Sequence, residues 1–359
     1  MLGHLLFLRG TTLVARPFDA RRRELTGEPV PVAEEVGNNG TIFGFFAASE
    51  NGTLAYRSAG PANIQLSWFD RGGKLLGQVG DPAPYLDYVA LSPDQTRAAR
   101  GETTALSLNA DIWLLEFARG RRTRFTFNPA RDYYPVWSPD GAHIAFSSSR
   151  AGRYDLYRKA SNGTGNDELL LMSAENKRPM SWSSDGRFLL YTAVAPKTKS
   201  DLWVLPMQGD RKPFPLLVTD YNQSWGRFSP DSRWMAYQSD ESGTDEIYVQ
   251  PLDLSSATGV SLGAGKTLIS KGGGMRPIWR RDGKELFYEA PDRKVMAVEV
   301  TTKPALQAGV PQPLFQVPDA NIVWDVSTDG KRFLIPVPVV ETAQTPITVV
   351  LNWTAALKK

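Results

Sequence analysis

The chain has 359 residues, 42% of them apolar and 22% charged, with a net charge of only +3. That balance argues against disorder and against a nucleic-acid footprint. The absence of Cys removes disulfides, thiol nucleophiles and thiolate metal sites.

The opening Met1-Leu-Gly-His-Leu-Leu-Phe-Leu-Arg9 has too short an apolar stretch for a signal peptide, and Arg9 follows at once. It predicts a strand. Residues 5–8 and 13–18 read as the second and third strands of a unit whose first strand is missing. The expected origin of residues 1–27 is a further blade left over from a longer parent; the alternative is an extension of a closing sheet. Glu28-Pro-Val-Pro-Val-Ala33 resembles a fourth strand. The basic runs Arg21-Arg22-Arg23 and 119–124 are short and read as solvated loops. No apolar run approaches the ~20 residues of a membrane span.

From residue 49 onward one turn phrase recurs. It reads Ser49-Glu-Asn51-Gly52, Ser92-Pro-Asp94-Gln95, Ser138-Pro-Asp140-Gly141, Ser183-Ser-Asp185-Gly186, Ser229-Pro-Asp231-Ser232, Arg280-Arg-Asp282-Gly283 and Ser327-Thr-Asp329-Gly330. The steps between copies are 43, 46, 45, 46, 51 and 47 residues. Three residues before the Asp or Asn stands an apolar residue each time, from Ala48 to Trp137, Trp279 and Val326. After most turns come alternating apolar pairs such as Ile144/Phe146 and Leu286/Tyr288. Alternation on both sides of an Asp-Gly turn predicts a β-hairpin. A third strand follows at Asp111-Ile-Trp113, Asp155-Leu-Tyr157, Asp201-Leu-Trp203 and Glu246-Ile-Tyr248, and a less regular fourth closes each unit.

Four short antiparallel strands every 40–50 residues, without helical periodicity, predict an all-β propeller of four-stranded blades. Blades are expected near 41–82, 85–128, 131–174, 177–220, 222–272, 274–318 and 321–359. The last has strands at 323–327, 331–337 and 346–353 but no fourth. Residues 28–36 are expected to supply it, so N- and C-terminal strands pair to close 28–359 into a ring. Seven blades are favoured, with six or eight as alternatives. The second blade carries Ala98 and Arg100 where others have a large apolar pair, and is expected to be the loosest.

The Ser-Pro-Asp-Gly units resemble the WD-like repeats of TolB-type propellers over roughly residues 42–353. A finer resemblance is carried by Ser239-Asp-Glu-Ser-Gly-Thr-Asp-Glu-Ile-Tyr-Val-Gln-Pro251, Arg276-Pro-Ile-Trp-Arg-Arg-Asp-Gly-Lys-Glu-Leu-Phe-Tyr288 and Pro346-Ile-Thr-Val-Val-Leu-Asn-Trp353. The opening fits as well, through Ala15-Arg-Pro-Phe-Asp19 and Leu25-Thr-Gly-Glu-Pro29. These segments resemble the C-terminal propeller region of bacterial, acidobacteria-like, eukaryotic-like serine/threonine kinases. That resemblance implies a sensor or interaction region on the extracytoplasmic side of a membrane-spanning kinase. Expressed as written, without a signal, the chain is expected in the cytoplasm. It has no glycine-rich nucleotide loop, no His-Arg-Asp and no Asp-Phe-Gly, so no kinase activity carries over to any residue.

Catalytic motifs are matched only by letters. His4 and His143 are the only His residues, and His143 reads as a strand residue. Gly259-Val-Ser261-Leu-Gly263 lacks the strand-turn-helix context of a nucleophile elbow, and Gly263-Ala-Gly265-Lys266-Thr267 has Val260 where a phosphate loop needs Gly. The turn acids, one per blade, are too dispersed for calcium. Asp111, Asp155 and Asp201 read as turn or cap residues. The Asn-X-Thr sequences at Asn51, Asn162 and Asn352 read as turns and strand ends.

Loops entering the first strands should gather at one mouth of the channel. There Tyr88, Tyr133, Tyr134, Arg178, Trp225 and Arg276 form the candidate ligand site, because aromatic and Arg side chains dominate binding hot spots. The expectation is therefore a monomeric, non-catalytic module that binds a protein or small ligand, with no cofactor, no metal and no nucleic acid. The alternative is a propeller lyase or hydrolase with its site at the channel mouth. A trimmed propeller without a present role is a third reading.

Overall fold

A computed structural model describes the chain except for residues 1, 38–43, 59–62, 105–106, 195–198, 255–259, 304, 319–322, 340–345 and 359. The repeated turn organises it. Ser138 Oγ donates to Asp140 Oδ1 at 2.5 Å and accepts the His143 amide at 2.9 Å. Asp140 Oδ1 also accepts the Ala142 amide at 2.9 Å. Gly141 then turns the chain with a φ of 69°, open to Gly at little cost. The same three bonds recur at Ser92/Asp94, Ser183/Asp185, Ser229/Asp231 and Ser327/Asp329. At Asp282 the donor is instead Arg280 Nε, 2.6 Å away.

Each turn joins an inner strand to a second strand, and third and outer strands follow. Blade 2 contains Asp132–Trp137, His143–Ser148, Asp155–Ala160 and Glu168–Leu171. Blade 3 contains Asn176–Trp182, Phe188–Val194, Ser200–Pro206 and Phe214–Leu217. Blade 4 runs from Gln223–Phe228 to Thr267–Leu268, and blade 5 from Met275–Trp279 to Gln312–Gln316. Blade 1 is built on the end of Leu75–Leu91, followed by Arg97–Thr104, Ser107–Glu116 and Arg121–Arg124.

Alternation sends successive side chains to opposite blade neighbours. Ile144 and Phe146 pack with Ala99, Ile112 and Phe125 of blade 1, whereas Ala145 packs with Leu189 and Tyr191 of blade 3. Blades 3 and 4, 4 and 5, and 5 and 6 are joined by similar apolar layers. A sixth layer, with Leu66, Val79 and Leu334 against Val89, Ala98 and Leu115, joins blade 6 to blade 1. Six layers close a six-bladed ring, one of the alternatives to the favoured seven.

Strands from both ends of the chain do close the ring, but not the expected pair. Arg332–Pro338 pairs with Asn63–Asp70, which continues into Leu75–Leu91. Blade 6 is therefore Asp325–Val326, Arg332–Pro338, Asn63–Asp70 and the start of Leu75–Leu91. Val30–Ala33 pairs with Thr12–Asp19 instead of the C-terminal strands. The expected blades 41–82 and 321–359 are both divided, because Leu54–Arg57 pairs with Ile347–Val350. Residues 41–43 and 321–322, where those blades were expected to open, lie outside the described residues. The strands left over form a side unit of two small sheets. It packs around Leu13, Ala15, Val36, Leu54 and Trp353.

Two sequence expectations change on packing grounds. Asp155 is no simple cap: its carboxylate pairs with Lys177 of blade 3 at 2.8 Å, and both side chains are 1% exposed. Arg100 fills the slot expected to be loose. Its guanidinium is 1% exposed and paired with Glu102 at 2.7 Å. Among the described residues no helix is long and apolar enough to cross a membrane.

Two outcomes test this architecture. A chain trimmed to residues 58–345 keeps both closing strands and should retain a cooperative urea transition by circular dichroism. One ending at residue 331 should lose it. Asp140→Ala removes two bonds of a turn and should cost roughly 1–2 kcal/mol. The Ser Oγ bonds lower the carboxyl pKa values of Asp94, Asp140 and Asp329 below 3.8, as the Arg280 bond does for Asp282. Their stabilisation is thus present above pH 3.8 and lost as pH falls through the lowered values. Thermal melts should fall across that window, less steeply in Asp140→Asn.

Candidate functional site

The six candidate residues lie at one mouth of the channel and meet there. Tyr134, Trp225 and Arg276 stand six residues before their turn Asp, and each has a positive φ, 56°, 53° and 57°. The inner strands shift register around these residues. An extra residue in a strand bends it and re-aims a side chain. Tyr88 of blade 1 stacks on Trp225 of blade 4 across the channel, with ring centres 5.9 Å apart. Tyr134 meets Tyr88 edge-on at 5.3 Å, and Tyr133 lies 5.7 Å from Tyr134. Arg178 covers Tyr134 at 5.1 Å and Arg276 covers Trp225 at 5.6 Å. Tyr88 is buried, the other rings are partly exposed and Arg178 is exposed. The cluster stoppers this mouth.

Arg276 is held by Glu289 at 2.9 Å. Burial pushes the Glu289 carboxyl upward, and Arg276 opposes that shift. Sequence reasoning did not find this carboxylate, because the partner stands on the second strand, thirteen residues on.

Beyond the stopper, towards the Ser-Pro-Asp turns, the channel widens into a cavity of about 810 Å³. One repeat position, four residues before the turn Asp, contributes Ala90, Val136, Ser181, Arg227, Ile278 and Asp325 to its lining, beside turn residues such as Asp140 and Asp185. Arg227 reaches across to the Tyr88 hydroxyl at 3.2 Å and also donates to the Met180 carbonyl. Asp325 accepts the Leu91 amide at 2.7 Å and the Val326 amide at 2.8 Å. It therefore ties blade 6 to blade 1. Ser181 Oγ makes the matching link to the Phe228 amide at 3.3 Å. Asp325 is partly buried, and burial raises its carboxyl pKa. The two amides and Arg227 act in the opposite direction. Side chains of this wall were legible only by aligning the repeats one step deeper than the mouth residues.

The remaining sequence matches stay apart from the channel chemistry. Ser261 lies in a two-residue strand beside Glu246–Asp253, and Gly259 lies outside the described residues. Lys266 pairs with Glu241. His143 opens a second strand and borders the cavity, while His4 packs edge-on to Trp353 at 6.1 Å.

No family model matches the chain. Over 106 residues it is 33% identical to the uncharacterized peptidase YuxL of Bacillus subtilis (strain 168), covering 28% of this chain and 16% of that one. The chain thus spans a small part of that relative's length. Among solved structures, a chain assigned as TolB from Agrobacterium tumefaciens is similar with a TM-score of 0.58 and 16% identity. That match covers 78% of this chain and 99% of the other. An oligogalacturonate lyase in complex with manganese matches with a TM-score of 0.50 and 13% identity, covering 86% and 81%. The TolB-like propeller fold expected from the repeats is thereby shown, and none of these matches concerns a kinase. The expectation that the chain is not an enzyme is overturned. Missing motifs cannot support it when a sequence relative is a peptidase and a lyase shares the fold.

Proposed function

We propose that this chain is a recognition propeller that takes a protein segment or small ligand into its channel from the turn side. The observation that carries this reading is the pairing of a stoppered mouth with a cavity of about 810 Å³ behind it. Such a volume matches the range of ligand pockets, roughly 300–1,000 Å³. The stopper residues Tyr88, Trp225 and Arg276 form the far end of the site, and Tyr133, Tyr134 and Arg178 present a second, shallower surface. The resemblance to the C-terminal propeller of receptor-like bacterial kinases supports a sensor role within a longer parent.

A second reading rests on the 33% identity to a peptidase. In it, the propeller accompanies a peptidase and its channel receives substrate. The coding DNA on both sides of this stretch separates the two parents. An in-frame kinase domain with a membrane span supports the first, and an in-frame peptidase domain supports the second.

The channel itself is tested by thermal-shift measurements against neutral, anionic, cationic and zwitterionic compounds. A ligand at a hundredfold excess over its Kd should raise Tm by a few degrees. Ala90→Trp, which fills the cavity, should abolish that shift. Trp225→Ala and Arg276→Ala should weaken binding. If no class shifts Tm, or the filled variant responds like the parent, the channel is not the site.

A further inference from the structure

At the wall position four residues before the turn Asp stand two opposite charges, Arg227 and Asp325, and neither has an ion-pair partner among the described residues; Asp140, Asp185, Arg158 and Arg281 also border the cavity. Several other shielded cations in the blades have carboxylate partners. Lys177 has Asp155, Arg100 has Glu102, and Arg276 has Glu289. Arg227 and Asp325 instead stand on blades 4 and 6, separated by Ile278 of blade 5. Among the described residues Arg227 keeps a buried Nε with no acceptor, and its terminal nitrogens meet only uncharged oxygens. Among the described residues Asp325 accepts hydrogen bonds only from backbone amides, and Arg227 acts on it as a longer-range charge. A charge partly shielded from water is stabilised when a counter-charge reaches it. At the same repeat position Ala90, Val136 and Ile278 are apolar.

We infer that the cavity binds a small zwitterion of the free amino-acid class. Its ammonium group faces Asp325, its carboxylate faces Arg227, and its aliphatic body lies against Val136, Ile278 and Ala90. Ser181, on the blade opposite Asp325, supplies a hydroxyl near the anionic end. This rests on the reading of the channel as a recognition site and adds the chemical class of the ligand.

The experiment is calorimetric titration of the full chain with L-leucine, L-leucinamide and N-acetyl-L-leucine. These carry both charges, the cation alone and the anion alone. Leucine should bind, and each singly charged analogue should bind at least about tenfold more weakly. Arg227→Gln should abolish the preference for leucine over leucinamide. Asp325→Asn should abolish the preference over N-acetyl-leucine. Asp325 also bonds across the ring seam, so thermal melting of its variant accompanies the titration; if that variant unfolds, Arg227→Gln alone decides. Equal affinities for the three probes, no binding of leucine, or a preference unchanged in Arg227→Gln would overturn the inference. Should another compound still shift Tm and lose that shift in Ala90→Trp, the channel reading stands and only the zwitterion assignment falls.

Discussion

The pairing of Arg332–Pro338 with Asn63–Asp70 holds the two ends of the ring together, and the channel exists only because it does. A blade is apolar on both faces, so an open row of blades would leave two such faces in water. Closing strands from opposite ends of the chain bury the last pair. Asp325 adds a polar seam beside this apolar one, since its carboxylate takes the Leu91 amide of the next blade. The same residue thereby joins ring closure to the chemistry of the cavity wall.

The channel follows from two local features repeated around that closed ring. The Ser–Asp turn fixes where each inner strand ends, and so sets one wall position per blade at equal depth. The register shift near the other end of several inner strands tips Tyr134, Trp225 and Arg276 inwards. Opposed blades then come within stacking distance, as Tyr88 and Trp225 do. One mouth is stoppered, and the turn side widens into the cavity.

Much of this arrangement is legible in the amino-acid sequence. The turn residues from Ser92 to Asp329 stand out as a repeat because all but the Arg280–Asp282 turn make the same local bonds, which depend on neighbours in sequence. The meeting of Tyr88, Tyr133, Tyr134, Arg178, Trp225 and Arg276 is legible for the same reason: equivalent positions in equivalent units face one axis. The pairings of Lys177 with Asp155 and of Arg276 with Glu289 are not legible. Each pair joins residues on different strands, and nothing in either local motif names its partner.

Local sequence dictates the unit: a four-stranded antiparallel blade, its turn, and the alternation that makes both faces apolar. These are short-range matters of backbone conformation and period-two patterning. The number of units in the ring, and the strands that close it, come from the assembled fold. Leu54–Arg57 and Asn63–Asp70 look equally fit to pair with each other or with C-terminal strands. That choice rests on which apolar faces are buried together, a property of the whole ring that no single repeat contains.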